Sequence, residues 1–172
     1  VCGEVAEVGR GVASVKVGDY VAVESHFTCG ICFQCRTGQA HVCRNYRILG
    51  IDVDGSYADY VLLPERVLWK TSRDIPPEIA CVQEPLGNAV DAALAEDLSG
   101  HSVLITGCGP TGLFAAAVAR IAGASMIIAS DVSDYRLDLA TQLGIDHTLN
   151  AKTDSVEAMA EAILDLTGGE GV

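Results

Sequence analysis

The hydrophobic period of this 172-residue chain changes part-way along its length. Over roughly the first 75 residues, apolar and polar positions alternate in short bursts punctuated by glycine or proline. One burst is Val1-Cys-Gly-Glu-Val-Ala-Glu-Val8 before Gly9-Arg10-Gly11. A second is Tyr20-Val-Ala-Val23 after the Val17-Gly18-Asp19 turn, and a third is Gly55-Ser-Tyr-Ala-Asp-Tyr-Val-Leu-Leu63 before Pro64. A period of two predicts half-buried strands in a small barrel or sandwich. From Ile75 the pattern becomes helical: Pro76-Pro77-Glu78 suits a helix start, and residues 88–98 are alanine-rich at helical spacing.

Beyond Ser102, apolar runs alternate with helical stretches. A run at 103–105 precedes a helix at 113–122 that Gly123 stops, and a second run follows at 126–129. Ser133 is placed to cap a helix over 134–143, and residues 147–149 form a third strand. Asp154 with Glu157 resembles a capping box for a last helix ending at Gly168. This alternation predicts an α/β fold with a parallel, doubly wound sheet, of which only the first half is present. Three segments result: a β-rich domain at 1–75, hinge helices at 76–101 and an incomplete nucleotide-binding domain at 102–172. Val1 sits inside a strand-like pattern, and Val172 follows Thr167-Gly-Gly-Glu-Gly171. The sequence is therefore expected to be a piece of a longer protein.

The most specific local signal is Cys29-x2-Cys32-x2-Cys35-x7-Cys43. Four thiolates can close a tetrahedral zinc site with no position left for water, which makes such a site structural. Bacterial iron–sulfur runs share the first two spacings, but they have a shorter last spacing followed by proline, where this chain has Arg44. Disulfides are the third possibility. His26 lies just before this loop beside Glu24, and His41 lies within it. Glu84, in Cys81-Val-Gln-Glu-Pro-Leu-Gly87, is a carboxylate among apolar neighbours. It suits either a cation or the first turn of a helix. Cys2, Cys81 and Cys108 are isolated.

Gly107-x-Gly109-x-x-Gly112 stands between an apolar run and a helix, and Asp131 follows a second apolar run 19 residues past Gly112. Such glycines permit a tight turn, close backbone approach to a pyrophosphate and close helix–sheet packing. The acid can accept hydrogen bonds from an adenosine ribose and would repel a 2′-phosphate, so NAD is expected over NADP. The formal charge of −12, with three lysines and no basic run, argues against nucleic acid. No run is long enough to span a membrane and no signal peptide is visible. Seven cysteines without an export signal suggest a reducing compartment.

Together, Val17-Gly-Asp-Tyr-Val21, the four-cysteine lobe, Gly55-Ser-Tyr-Ala-Asp-Tyr60, Glu84-Pro85, the glycine turn and Asp131 resemble the zinc-dependent medium-chain dehydrogenase/reductase family. The resemblance implies a GroES-like β-barrel catalytic domain, a Rossmann domain and an active site in the cleft between them. It implies NAD and zinc as cofactors, with Cys29, Cys32, Cys35 and Cys43 holding the structural ion. Glu84 would be a possible catalytic-zinc ligand and His26 would flank the substrate. Asp131 and Arg136 would hold the adenosine ribose, while Gly107, Gly109, Pro110, Thr111 and Gly112 would cradle the pyrophosphate.

Glu24-Ser-His26 and Gln83-Glu-Pro-Leu-Gly-Asn-Ala-Val-Asp91 are similar to the family members that oxidise the C3 hydroxyl of L-threonine. Polyol and secondary-alcohol members share much of this plan, and a non-catalytic zinc- and nucleotide-binding module is the alternative of another class. The family's catalytic zinc also uses a Cys and a His-Glu pair that would precede Val1. These 172 residues alone are therefore expected to be inactive. A cytoplasmic homotetramer acting on a small alcohol or amino acid completes the implied picture.

Overall fold

The computed structural model describes all residues, Val1–Val172, and divides into two compact units, Val1–Glu84 and Pro85–Val172. In the first, strands β1 (Cys2–Glu4), β2 (Tyr20–Val23) and β5 (Leu68–Lys70) form an antiparallel sheet in the order β1-β2-β5. Strands β3 (His26–Phe27) and β4 (Arg47–Ile48) form a two-stranded ladder. Two apolar clusters fill this unit: Val5, Val15 and Val21, and then Val23, Phe27 and Val67. Helix α1 (Phe33–Arg36) lies in the cysteine loop, and α2 (Pro77–Ala80) follows β5.

Two of the expected strands are corrected here. The first is only Cys2–Glu4: Val5 keeps backbone bonds with Gly18 and Asp19, and residues 6–8 pair with no strand. Residues 55–63 form no strand at all. Leu63 does pack against the Val23–Phe27–Val67 cluster, while Tyr57, Tyr60 and Leu62 face solvent. The alternation therefore marks neither a strand nor a buried face over most of this stretch: a strand also needs a neighbour for its backbone groups.

In the second unit the parallel sheet has the order β6-β7-β8, from β6 (Ser102–Thr106), β7 (Met126–Asp131) and β8 (His147–Asn150). Helix α4 (Pro110–Ile121) joins β6 to β7, α5 (Asp134–Gln142) joins β7 to β8, and α6 (Val156–Leu166) follows. This is the expected Rossmann-like arrangement. Ile127, Ala129, Ala116, Ala119, Leu137 and Ala140 make its core; the small residues let helix and sheet approach closely.

Some helix starts and caps differ from expectation, while α5 begins behind Ser133 as expected. Helix α3 runs Gln83–Ala93, not 88–98, because Pro85 is tolerated in a first turn and Gly87 does not interrupt the run. Ser133 occupies the cap position of α5 without a side-chain bond; its own N–H is taken by Asp131 Oδ1 at 2.8 Å. The cap of α6 is Ser155, whose Oγ accepts from Ala158 N at 3.1 Å, and not Asp154, which lies one residue too early. No helix is long and apolar enough to cross a membrane.

One carboxylate ties the first unit together. Glu65 Oε2 accepts from Ala13 N (2.9 Å), Ser14 N (2.8 Å) and Ser14 Oγ (2.7 Å). These donors, the Ser14 amide foremost, pull its carboxyl down from 4.5 to about 2. A depressed folded value contributes stability that is full above the unfolded value and disappears as pH falls through the folded one. The thermal midpoint of Glu65→Gln should therefore lie below wild type at neutral pH. That gap should close between pH 4.5 and about 2, as read by thermal melts across the range.

Candidate functional site

The loop between β3 and β4 brings four sulfurs together. Sγ of Cys32 lies 3.5 Å from that of Cys35 and 3.8 Å from that of Cys43, and Cys43 lies 3.6 Å from Cys29. All four atoms fall within 4.8 Å of one another. A tetrahedral ion with bonds of about 2.3 Å needs sulfurs about 3.8 Å apart, so the donor set fits zinc in number, type and spacing. Backbone amides already point at the sulfurs: those of Ile31 and Cys32, in that order, lower the Cys29 thiol to about 6. The amides of Cys35 and Arg44 lower Cys32. Burial and the neighbouring thiols push Cys35 up to about 12. A cation among the four removes that crowding by replacing protons. His41 is exposed, in the single turn of 3-10 helix at Ala40–Val42.

A second cluster forms where β2 gives way to β3. Glu24, His26 and Glu84 place ligand-capable atoms within 4.8 Å of one another. His26 Nδ1 is 2.6 Å from Glu24 Oε1 and 3.8 Å from Glu84 Oε1. Ser25 Oγ donates to Glu84 Oε1 at 3.3 Å, and the Tyr46 ring lies 6.0 Å from that of His26. Glu84, in the first turn of α3, has a side chain only 19% exposed. The pairing of Glu84 with His26, 58 positions apart, has no local sequence signal. That of Glu24 with His26 does: two residues apart in extended chain, they share a face.

In the second unit a cavity of about 450 Å³ opens beside the glycine turn, lined by Leu104–Gly107, Gly109–Gly112, Ala115, Ala89 and Ala92. Gly107 has φ +95°, open to glycine but not to ordinary side chains. Gly109 caps α4 with no side chain, and Pro110 opens the helix without an N–H, so the amides of Thr111 and Gly112 begin the helix uncapped. Asp131 is 7% exposed. Its Oδ2 accepts from Cys108 N and its Oδ1 from Ser133 N, both at 2.8 Å. Burial works against its charge, but these amides and Arg136, 3.7 Å away, outweigh it and hold the carboxyl below its usual value. Burial, then Asp131, raises the Cys108 thiol. An uncapped helix start, open glycines and an acid at the next strand end fit a dinucleotide.

Residues 1–74 match the alcohol dehydrogenase GroES-like domain, and residues 110–172 match the zinc-binding dehydrogenase domain. The chain belongs to the zinc-dependent medium-chain dehydrogenase/reductase family. Along its entire length it is similar to the L-threonine 3-dehydrogenase of Pyrococcus abyssi, with 51% identity over 172 residues that make up 49% of that protein. The chain thus spans about half the length of the curated relatives it matches. Among solved structures, the alcohol dehydrogenase of Thermus sp. ATN1 has a TM-score of 0.86 at 30% identity, covering 99% of this chain and 52% of that one. Galactitol-1-phosphate dehydrogenase of Escherichia coli has a TM-score of 0.84 at 29% identity, covering 96% and 48%.

Proposed function

We propose that this protein oxidises the C3 hydroxyl of L-threonine to 2-amino-3-oxobutanoate with NAD, in a zinc-dependent reaction. The observation that carries the reading is the similarity to an L-threonine 3-dehydrogenase over all 172 residues. When bound, zinc would supply Lewis acidity toward the hydroxyl and NAD would supply the hydride acceptor.

The chain's own residues hold and orient. Glu84 offers a carboxylate oxygen toward a catalytic ion, and the half-exposed His26 ring flanks the substrate. Cys29, Cys32, Cys35 and Cys43 hold the structural ion and so fix the loop that leaves β3. Gly107, Gly109, Pro110, Thr111 and Gly112 bring backbone to the pyrophosphate. Asp131, already braced by Cys108 and Ser133, keeps lone pairs for a ribose hydroxyl, with Arg136 beside it.

Comparing L-threonine, sorbitol and butanediol as substrates of the purified full-length protein, by NADH formation, tests the reading. Threonine should be preferred. Faster polyol oxidation would instead support the second reading, which the likeness to galactitol-1-phosphate dehydrogenase favours. Bound NAD and a single zinc without turnover of any alcohol would mark a non-catalytic module. Asp131→Ser should weaken NAD binding by about tenfold or more and narrow its advantage over NADP, as charge-assisted hydrogen bonds are lost. Equal affinities in titrations of both proteins would sink that assignment. A cytoplasmic homotetramer completes the proposal; its mass in solution by light scattering checks the assembly.

A further inference from the structure

One oxygen, Glu24 Oε1, meets two donors of a single residue: the His26 backbone N–H at 2.9 Å and ring Nδ1 at 2.6 Å. A carboxylate oxygen only accepts, so the ring proton resides on Nδ1. Nothing on that side competes to donate to the ring: Ser25 Oγ, 3.3 Å from Nδ1, gives its own proton to Glu84 Oε1. The ring's hydrogen-bond and ion-pair partners, Glu24, Ser25 and Glu84, lie around Nδ1, and Tyr46 flanks the ring with a tilt of 45°. The side chain of His26 remains 41% exposed.

We infer that Glu24 is a positioning residue that locks His26 in its Nδ1–H tautomer, so that Nε2 is presented as an acceptor for an O–H or N–H of the substrate. The backbone bond to the same oxygen fixes the carboxylate before the ring is added, which makes the lock preorganised. The identity of the donor as an amino alcohol rests on the function proposed above; the tautomer does not.

Long-range ¹H–¹⁵N spectra of the zinc-loaded, ¹⁵N-histidine-labelled protein at mildly alkaline pH test the lock. The chain has four histidines, and His26 is assigned by the signal lost in His26→Asn. Wild type should show the Nδ1–H pattern. Glu24→Ala should change to Nε2–H, whereas Glu24→Gln, whose side-chain oxygen still accepts, should retain Nδ1–H. In kinetics of the full-length protein, Glu24→Ala should raise KM for threonine about tenfold with a smaller change in kcat, and Glu24→Gln should recover most of the loss.

An Nε2–H wild-type ring overturns the inference without recourse to any variant, as does a Glu24→Ala ring that keeps its tautomer. The predicted tautomer change in a protein that oxidises no amino alcohol supports the lock and refutes the substrate.

Discussion

Gly112→Ala is expected to destabilise the Pro85–Val172 unit by about 3 kcal/mol or more and to remove measurable NAD binding. A Cβ at this position would stand 1.9 Å from the carbonyl oxygen of Gly107, 3.0 Å from its carbon and 3.3 Å from Ile105 Cγ2. The first two are backbone atoms and cannot swing aside as the end of a flexible side chain would. Gly107 is itself fixed by its bond to Ser130 O at 2.7 Å and by its positive φ. Relief must therefore come from sliding α4 away from β6, which opens the packing of Leu113, Ala116 and Ala119 in the core.

Gly109→Ala is the control. Its φ is −71° and an added Cβ meets nothing within 4 Å, so the fold should lose no more than about 0.5 kcal/mol. The new methyl group would nevertheless stand where the backbone is proposed to approach the pyrophosphate, and NAD affinity should fall. Urea unfolding paired with NADH fluorescence titration separates the two effects. Equal unfolding midpoints for Gly112→Ala and wild type would show that the turn is not the tight crossing described.

The same glycines illustrate what a sequence can carry. The turn, the helix behind it and the acid one strand later are local features whose spacing follows from backbone geometry, and the structure reproduces them. The four cysteines are equally local, and their sulfurs converge within 4.8 Å. Residues 55–63 show the limit. Their alternation predicts a strand, but it does not tell whether another strand lies alongside to take the backbone hydrogen bonds, and only Leu63 packs on the core while Tyr57, Tyr60 and Leu62 face solvent. Glu84 shows it again. Its carboxylate reaches Ser25 and His26 through the folding of the Val1–Glu84 unit, and a separation of 58 positions from His26 leaves no periodic trace. Caps fall in between. Asp154 and Ser155 both suit a helix start, and a difference of one residue in the approach of the chain decides for Ser155.

Removing the metal from the cysteine loop should unfold that loop while leaving the sheet beneath it intact. Between Thr28 and Arg47 only Cys43 is buried; Ile31, Phe33 and Val42 are 80%, 72% and 52% exposed. The loop therefore has no apolar core, and helix α1, at four residues, is far too short to hold by itself. The support proposed for it is a metal cross-link through the four sulfurs, for which structural zinc would supply about 10–16 kcal/mol of apparent binding energy. Chelation, or Cys43→Ser, should release one zinc per chain, make the lobe thiols reactive to a thiol reagent and abolish amide-exchange protection across residues 29–43. Protection in β1, β2 and β5 should persist, because their pairing and the Val5–Val15–Val21 cluster do not involve the loop. Iron with visible charge-transfer absorption in the purified protein would replace zinc by a cluster. Full protection of the metal-free loop would mean that the sulfurs are not its support.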